Sequence, residues 1–138
     1  MDIKAKILII DDDSDYRAST QALLESEGYE VVEASSGRAG LAAVRQHRPD
    51  LIVLDVMLES LQEGYSVNQA VKFAPEYRDL ASTPILMVSS MELDPPKLLG
   101  WIGDTSRITP DAYLTKPIDI PVFLAQIREL LEGRNHPG

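Results

Sequence analysis

Four short apolar runs of this sequence each lead into polar side chains that can do chemistry. The groups are acidic oxygens, hydroxyls and one ammonium: Asp11-Asp12-Asp13, Asp55, Ser89-Ser90 and Thr115-Lys116-Pro117. If the runs are strands of an open parallel sheet, their carboxyl ends meet at one edge, which is where ligands collect in such folds. The sequence therefore predicts one site that combines carboxylates, a hydroxyl and a lysine.

Asp11, Asp12 and Asp55 would crowd several negative charges together, which is unfavourable without a cation. Oxygen ligands select a hard cation, and Mg²⁺ fits best because it is held by one or two carboxylates while it keeps waters. A divalent ion, the Lys116 ammonium and the Ser89 hydroxyl form a clamp for a transferring phosphoryl group. A carboxylate can accept that group as an acyl phosphate. We choose Asp55 as the acceptor because the apolar strand before it makes its position the most rigid.

Taken one at a time, these residues also fit plainer roles. Three aspartates before a helix are commonly a cap plus acids favoured by the helix dipole. Asp55 fits a loop acid, Ser89 fits a turn cap, and Lys116 before a proline fits a solvated turn. The joint interpretation is preferred because four separate strands deliver complementary groups to one edge.

Apolar runs alternate along the chain with segments of helical pattern. Continuous apolar runs are typical of strands covered on both faces, and they lie at 7–10, 31–34, 51–54, 85–88 and 112–114. Helices are predicted over 15–26, 37–47, about 65–74 and from 120 onward, with caps at Ser14, Ser36 and Asp119. This alternation predicts a doubly wound parallel α/β sheet.

The stretch 90–111 does not follow this alternation. It contains Pro95 and Pro96 side by side, and adjacent prolines break a helix interior. We expect an irregular extended loop between the fourth and fifth strands.

Composition narrows the function classes. The 138 residues, 44% hydrophobic and 25% charged, fit one globular domain. A net charge of 13 − 22 = −9 argues against direct nucleic-acid binding and against a polybasic membrane anchor. The absence of cysteine excludes disulfides, zinc thiolates and a cysteine nucleophile. No apolar run approaches the ~20 residues of a membrane helix, and we expect a cytoplasmic location without membrane insertion.

Four motifs, in this order and spacing, resemble the receiver domain of two-component response regulators. They are Ile7-Leu8-Ile9-Ile10-Asp11-Asp12-Asp13, Asp50-Leu51-Ile52-Val53-Leu54-Asp55-Val56-Met57-Leu58, Met87-Val88-Ser89-Ser90 and Tyr113-Leu114-Thr115-Lys116-Pro117. The resemblance covers about residues 5–132 and makes 133–138 a C-terminal tail. It implies a flavodoxin-like (CheY-like) fold with five parallel strands in the order 2-1-3-4-5.

The resemblance also implies a phosphoacceptor and a metal site. Asp55 would accept a phosphoryl group from a phosphohistidine of a sensor histidine kinase or a phosphotransfer protein. Asp12, Asp55 and the backbone carbonyl of Met57 would ligate Mg²⁺ directly, and Asp11 mostly through water.

A clamp and a switch are implied in the same way. Ser89 and Lys116 would bind the phosphoryl oxygens. Tyr113 stands where the family carries its rotating switch aromatic and would respond to Ser89. Pro117 stands where the family carries a cis peptide bond.

Two features depart from the family pattern. The segment after Met57 lacks the usual proline, and Ser89 and Lys116 are 116 − 89 = 27 positions apart, several more than usual. A dimer through the fourth helix therefore stays open, although a homodimer is among the expected outcomes. Met57 and Met91 would flank the water that hydrolyses the aspartyl phosphate, and a thioether orients water poorly. We expect slow autodephosphorylation for that reason.

Other function classes remain as alternatives. An aspartyl-nucleophile phosphohydrolase carries its nucleophile in an Asp-x-Asp motif on its first strand. Here the single acceptor, Asp55, follows the third strand instead. A receiver-like binding module that is not phosphorylated is disfavoured, because suitable side chains occupy all five positions that the chemistry needs. They are Asp11, Asp12, Asp55, Ser89 and Lys116. We expect a regulator of the stand-alone, single-domain type, with a receiver belonging to a longer regulator as the alternative; the output partner stays open.

Overall fold

Strands and helices alternate along the chain in the computed structural model, which describes residues 5–55, 66–67, 69–72, 74–80, 82–89 and 112–135. The strands are β1 (Lys6–Ile10), β2 (Glu30–Ala34), β3 (Leu51–Asp55), β4 (Ile85–Ser89) and β5 (Ala112–Thr115). The helices are α1 (Ser14–Ser26), α2 (Gly37–His47) and α3 (Ile120–Asn135), with a 3₁₀ helix at Pro75–Leu80. The predicted alternation is therefore confirmed.

All five strands pair in parallel in the order β2-β1-β3-β4-β5, as predicted. Ile10 at the end of β1 pairs with Leu54, the residue before Asp55. Ser89 at the end of β4 pairs with Thr115, the residue before Lys116. Because the strands run in one direction, the chain leaves all of them at the same edge, which we call the carboxyl edge.

Both faces of the sheet are buried, which explains the uninterrupted apolar strands. Alternate residues point to opposite faces. One face packs on α2, on Val67 and Val71 and on the 3₁₀ helix, and the other packs on α1 and α3. The central strands are fully enclosed, so the residues that follow them start from fixed positions.

Two of the predicted helix caps are confirmed. The Ser36 Oγ accepts a hydrogen bond from the Ala39 N–H at 3.1 Å at the start of α2. The Asp119 Oδ1 accepts one from the Val122 N–H at 3.2 Å at the start of α3. Both satisfy N–H groups that have no partner inside the helix.

The predicted cap of α1 at Ser14 is wrong, because Asp13 is the cap and Ser14 is the first helical residue. The Asp13 Oδ1 accepts from the N–H groups of Asp15 and Tyr16 at 3.0 and 3.2 Å. A carboxylate accepts two such bonds and is further favoured by the positive end of the helix dipole. A neighbouring aspartate therefore displaces serine from the cap.

Other differences lie at the ends of elements. Residues 66–67 and 69–72 are helical within the predicted segment 65–74, and the 3₁₀ helix that follows was not predicted. Helix α3, for which the sequence predicted only a start at 120, ends at Asn135. The predicted loop 90–111 lies outside the described residues. Within the described part of the chain, no helix has the length and apolar character that crossing a membrane requires.

Helix α2 approaches the sheet closely at Gly40. A Cβ added there would lie 2.5 Å from Ile10 Cδ1, and Ile10 is fully buried. A Cβ added at Gly133 in α3 would meet nothing within 4 Å. The two helical glycines thus form a matched pair that separates helix propensity from packing.

We expect Gly40→Ala and Gly133→Ala to change the free energy of unfolding in opposite directions. Gly133→Ala should raise it by up to about 1 kcal/mol, the helix propensity difference. Gly40→Ala should lower it by about 1–3 kcal/mol because of overpacking, and by less in an Ile10→Val background. Urea unfolding measures both, and stabilisation by Gly40→Ala would contradict the close approach.

Candidate metal and phosphoryl site

Three carboxylates converge at the carboxyl edge of the sheet, as the sequence predicts. One oxygen from each of Asp11, Asp12 and Asp55 lies within 4.8 Å of the other two. Asp11 and Asp12 directly follow β1, and Asp55 ends β3. Because β1 and β3 are hydrogen-bonded neighbours, their register alone brings these residues together.

Two of the three acids are buried, which makes their charge costly unless it is compensated. Asp11 is 2% exposed and Asp55 is 7% exposed, whereas Asp12 is exposed. The Asp11 Oδ1 accepts the Asp13 N–H at 2.9 Å, and the Asp11 Oδ2 accepts from Lys116 Nζ at 3.1 Å. Each oxygen of Asp11 therefore has a donor.

The donor set fits Mg²⁺. The ion takes hard oxygen ligands about 2.1 Å away, so two ligands on opposite sides of it are about 4 Å apart. The spacing of the three carboxylates needs only a small closure, or one water between an acid and the ion. Three carboxylates and one lysine carry −3 + 1 = −2 formal charges, which a divalent cation offsets.

Lys116 reaches the acid cluster from the end of β5. Its ammonium lies 3.1 Å from Asp11 Oδ2 and 3.9 Å from the centre of the Tyr16 ring. The peptide bond from Lys116 to Pro117 is cis, as the resemblance implied. The side chain of Lys116 is only 17% exposed, so its charge acts where water screens it weakly.

Tyr16 belongs to this site but was not predicted from the sequence. It lies in the first turn of α1, and its hydroxyl is buried. Burial raises the pKa of Tyr16 to about 12; the carboxylates of Asp11 and Asp55 add to the rise, and the Thr20 side chain opposes it. The available signal was an aromatic residue one helical turn after the acids.

Arg17 is a second residue that sequence reasoning missed. Its guanidinium donates to the backbone carbonyl of Asp11 at 2.6 Å and forms an ion pair with Glu33 at 3.4 Å. It therefore braces the chain where β1 ends against the end of β2.

Four other residues predicted for the site are placed less completely. Ser89 ends β4 at the same edge, but its side chain is outside the described residues, as are Met57 and Met91. Tyr113 is half-buried in β5, pairs with Met87 and packs against the core on the α2 face. The structure thus brings together Asp11, Asp12, Asp55 and Lys116, and it places the backbone of Ser89 at the same carboxyl edge of the sheet.

A groove of about 530 Å³ opens beside Lys116, between α1 and the start of α3. Its lining is mostly apolar and includes Tyr16, Leu23, Ile118 and Phe123. Ile120 lies at its rim and is 52% exposed. The Lys116 side chain therefore has open space on one side and the acid cluster on the other.

Comparison with known proteins agrees with this fold and site. The family described as the response regulator receiver domain matches residues 7–128. Protein PilH of Pseudomonas aeruginosa is 30% identical over 129 residues, which cover 94% of this chain and 99% of PilH. A receiver domain protein (CheY-like) from Methanospirillum hungatei has a TM-score of 0.80 and 28% identity, covering 99% of this chain and 100% of that one.

A longer relative shows the same similarity in part of its length. The transcriptional regulatory protein CseB of Streptomyces coelicolor is 34% identical over 132 residues, which cover 96% of this chain. This chain spans 51% of CseB. The chain belongs to the response regulator receiver domain family. It is a two-component receiver domain whose acidic pocket consists of Asp11, Asp12 and Asp55.

The raised pKa of Tyr16 predicts that this phenol ionises, and that the protein loses stability, only at strongly alkaline pH. Because the fold favours the protonated phenol, the stability that depends on it is complete below pH about 10 and is lost as pH rises through about 12. In metal-free protein, tyrosinate absorbance should show a tyrosine that ionises near pH 12. Tyr16→Phe should remove that step, and the control Tyr29→Phe should keep it. Loss of a step near pH 10 on Tyr16→Phe would contradict the burial of this ring.

Proposed function

We propose that this receiver domain accepts a phosphoryl group on Asp55 and then changes conformation to control a partner protein. The observation that carries the proposal is the convergence of three carboxylates with the ammonium of Lys116 at one edge of the sheet. The three acids would hold a divalent cation, and the lysine would bind an anion beside it. A site for a cation alone would not need the ammonium group.

Asp55 is the acceptor in this proposal. It is the last residue of β3, a strand that is hydrogen-bonded on both sides, and it is 7% exposed. A carboxylate oxygen of Asp55 attacks phosphorus of a phosphohistidine. The phosphorus–nitrogen bond breaks, and its electron pair stays on the imidazole. An attacking group fixed in place lowers the entropic part of the barrier.

The other residues of the site would bind the metal ion and the negatively charged phosphoryl oxygens. Asp11, Asp12 and the Met57 carbonyl would hold Mg²⁺ with Asp55, and the ion would neutralise charge on the transferring phosphoryl oxygens. Lys116 would exchange its contact with Asp11 for a phosphoryl oxygen. The hydroxyl of Ser89 would bind another.

The proposed switch links the phosphorylated site to the neighbouring strand. Binding of Ser89 to the phosphoryl group would free space for Tyr113, which lies on β5, two residues before the partner of Ser89 in register. A few kcal/mol of differential binding is enough to shift such an equilibrium. The half-burial of Tyr113 supports this, since the residue packs against the core and is also partly exposed.

The partners follow from the chemistry. The donor is a phosphohistidine on a sensor histidine kinase or a phosphotransfer protein, and small acyl phosphates carry the same reactive group. The cytoplasmic location expected from the sequence belongs to this proposal. The output is contact with another protein or with a second copy of this chain, in line with a net charge of −9 that disfavours nucleic acid.

Phosphorylation by a small donor tests the acceptor. Incubation with acetyl phosphate and Mg²⁺ should add one phosphoryl group to the intact protein, and Asp55→Asn should abolish the addition because the attacking oxygen is lost. Mass spectrometry of the intact chain measures it.

Asp13→Asn is the matched control for this experiment. It removes a neighbouring acid but preserves the cap of α1, since asparagine caps as well as aspartate, and labelling should persist. Labelling of Asp55→Asn would move the acceptor elsewhere. No labelling of the wild type under any donor would favour a binding module without phosphorylation.

Mg²⁺ should stabilise the protein because it binds only the folded acid cluster. Asp12→Ala should raise the melting temperature of the metal-free protein by relieving repulsion and should abolish the Mg²⁺-dependent rise. Asp12 suits this test because it is exposed. The control Asp15→Ala removes an exposed acid outside the cluster and should keep the rise. Differential scanning fluorimetry decides, and a wild type that does not respond to Mg²⁺ would overturn the metal site.

A further inference from the structure

The ammonium of Lys116 is held from two sides by groups of different chemistry. The Asp11 carboxylate lies 3.1 Å away, and the face of the Tyr16 ring lies 3.9 Å away measured to its centre. Both distances fall within the range of direct contact for an ion pair and for a cation over an aromatic ring. Asp11 would help to hold the metal ion in the proposed site, whereas the proposed function gives the Tyr16 ring no role.

We propose that Tyr16 is a positioning residue that holds the Lys116 ammonium over the site where the phosphoryl group binds. This inference rests on the proposed function, since it assigns Lys116 to the phosphoryl oxygens. Tyr16 touches no reacting atom and acts only through the lysine.

The need for such a residue follows from the two neighbours of the ammonium. If Asp11 helped to hold a divalent cation, its carboxylate contact with Lys116 would weaken. A lysine side chain has four rotatable bonds, and the groove of about 530 Å³ gives it space to leave the site. The Tyr16 ring lines that groove and contacts the ammonium, so it opposes this movement.

An aromatic ring is better suited to this task than another acid. The ring is neutral, so it attracts the ammonium without neutralising its charge, and the full charge stays available for the phosphoryl oxygens. A second carboxylate would compete with the phosphoryl group and add to the repulsion among the acids. Tyr16 therefore fixes Lys116 while leaving it reactive.

The ring is itself held in place. The N–H of Tyr16 is bound by the capping carboxylate of Asp13 at 3.2 Å, and its hydroxyl is buried. The N–H of Asp13 in turn donates to Asp11 at 2.9 Å. The cap of α1 thus fixes the ring relative to the same carboxylate that the lysine contacts.

Substitutions at Tyr16 separate the ring from its hydroxyl and its bulk. Tyr16→Leu keeps apolar volume but removes the ring, and it should slow phosphorylation by acetyl phosphate about 2- to 30-fold, the range of one cation–π contact. Tyr16→Phe keeps the ring and should react at the wild-type rate. The control Ser19→Ala changes another residue that lines the same groove, and it should also match the wild type. Urea unfolding of each variant checks folding, and Tyr16→Met replaces Tyr16→Leu if the latter is unfolded.

A double-substitution cycle shows whether the ring acts through Lys116. In a Lys116→Met background, Tyr16→Leu should change the rate by less than about 2-fold, because the contact is already absent. An equal slowing in both backgrounds, or an equal slowing by Tyr16→Phe, would overturn the inference. So would a wild-type rate in Tyr16→Leu.

Nuclear magnetic resonance gives a readout that does not depend on phosphorylation. The ε-methylene protons of Lys116 should be shifted by the ring current in the wild type and in Tyr16→Phe, and the shift should vanish in Tyr16→Leu. If the wild type shows this shift but is never phosphorylated, the proposed function fails and the contact stands. If it is phosphorylated without the shift, the positioning role fails alone.

Discussion

Repulsion between buried carboxylates is the constraint on which the rest of this site depends. Asp11 and Asp55 are nearly inaccessible to water and lie beside each other because β1 and β3 are neighbours in the sheet. Lys116 and a backbone N–H face Asp11 and offset part of this charge, and the spacing of the acids fits a divalent cation. The cluster therefore favours positive charge beside it, which Lys116 supplies in part and a divalent cation would complete.

Asp13 connects this electrostatic problem to the fold. Its N–H binds Asp11, and its carboxylate caps α1 at the N–H of Tyr16. The third aspartate of the run therefore serves the architecture, while the first two serve the metal site. Helix α1 in turn packs on the face of the sheet that also carries α3, which fixes the direction from which Tyr16 meets Lys116.

The relatives match this chain over different shares of their own length. PilH is matched over nearly its whole length, whereas this chain spans about half of CseB. In this chain the charged side chains lie at one edge of the sheet, and an apolar groove lies directly beside them.

The sequence by itself determined the parallel sheet, its strand order through the family motifs, and the convergence of Asp11, Asp12, Asp55 and Lys116. These follow from local patterns: continuous apolar runs demand burial on both faces, and polar residues after such runs must emerge at one edge. The tertiary structure alone decided which aspartate caps α1, that Tyr16 lies over the lysine, and that Arg17 braces the end of β1. These contacts join residues up to 116 − 16 = 100 positions apart, or select between adjacent side chains that can both cap a helix, and a linear pattern carries no distances between them.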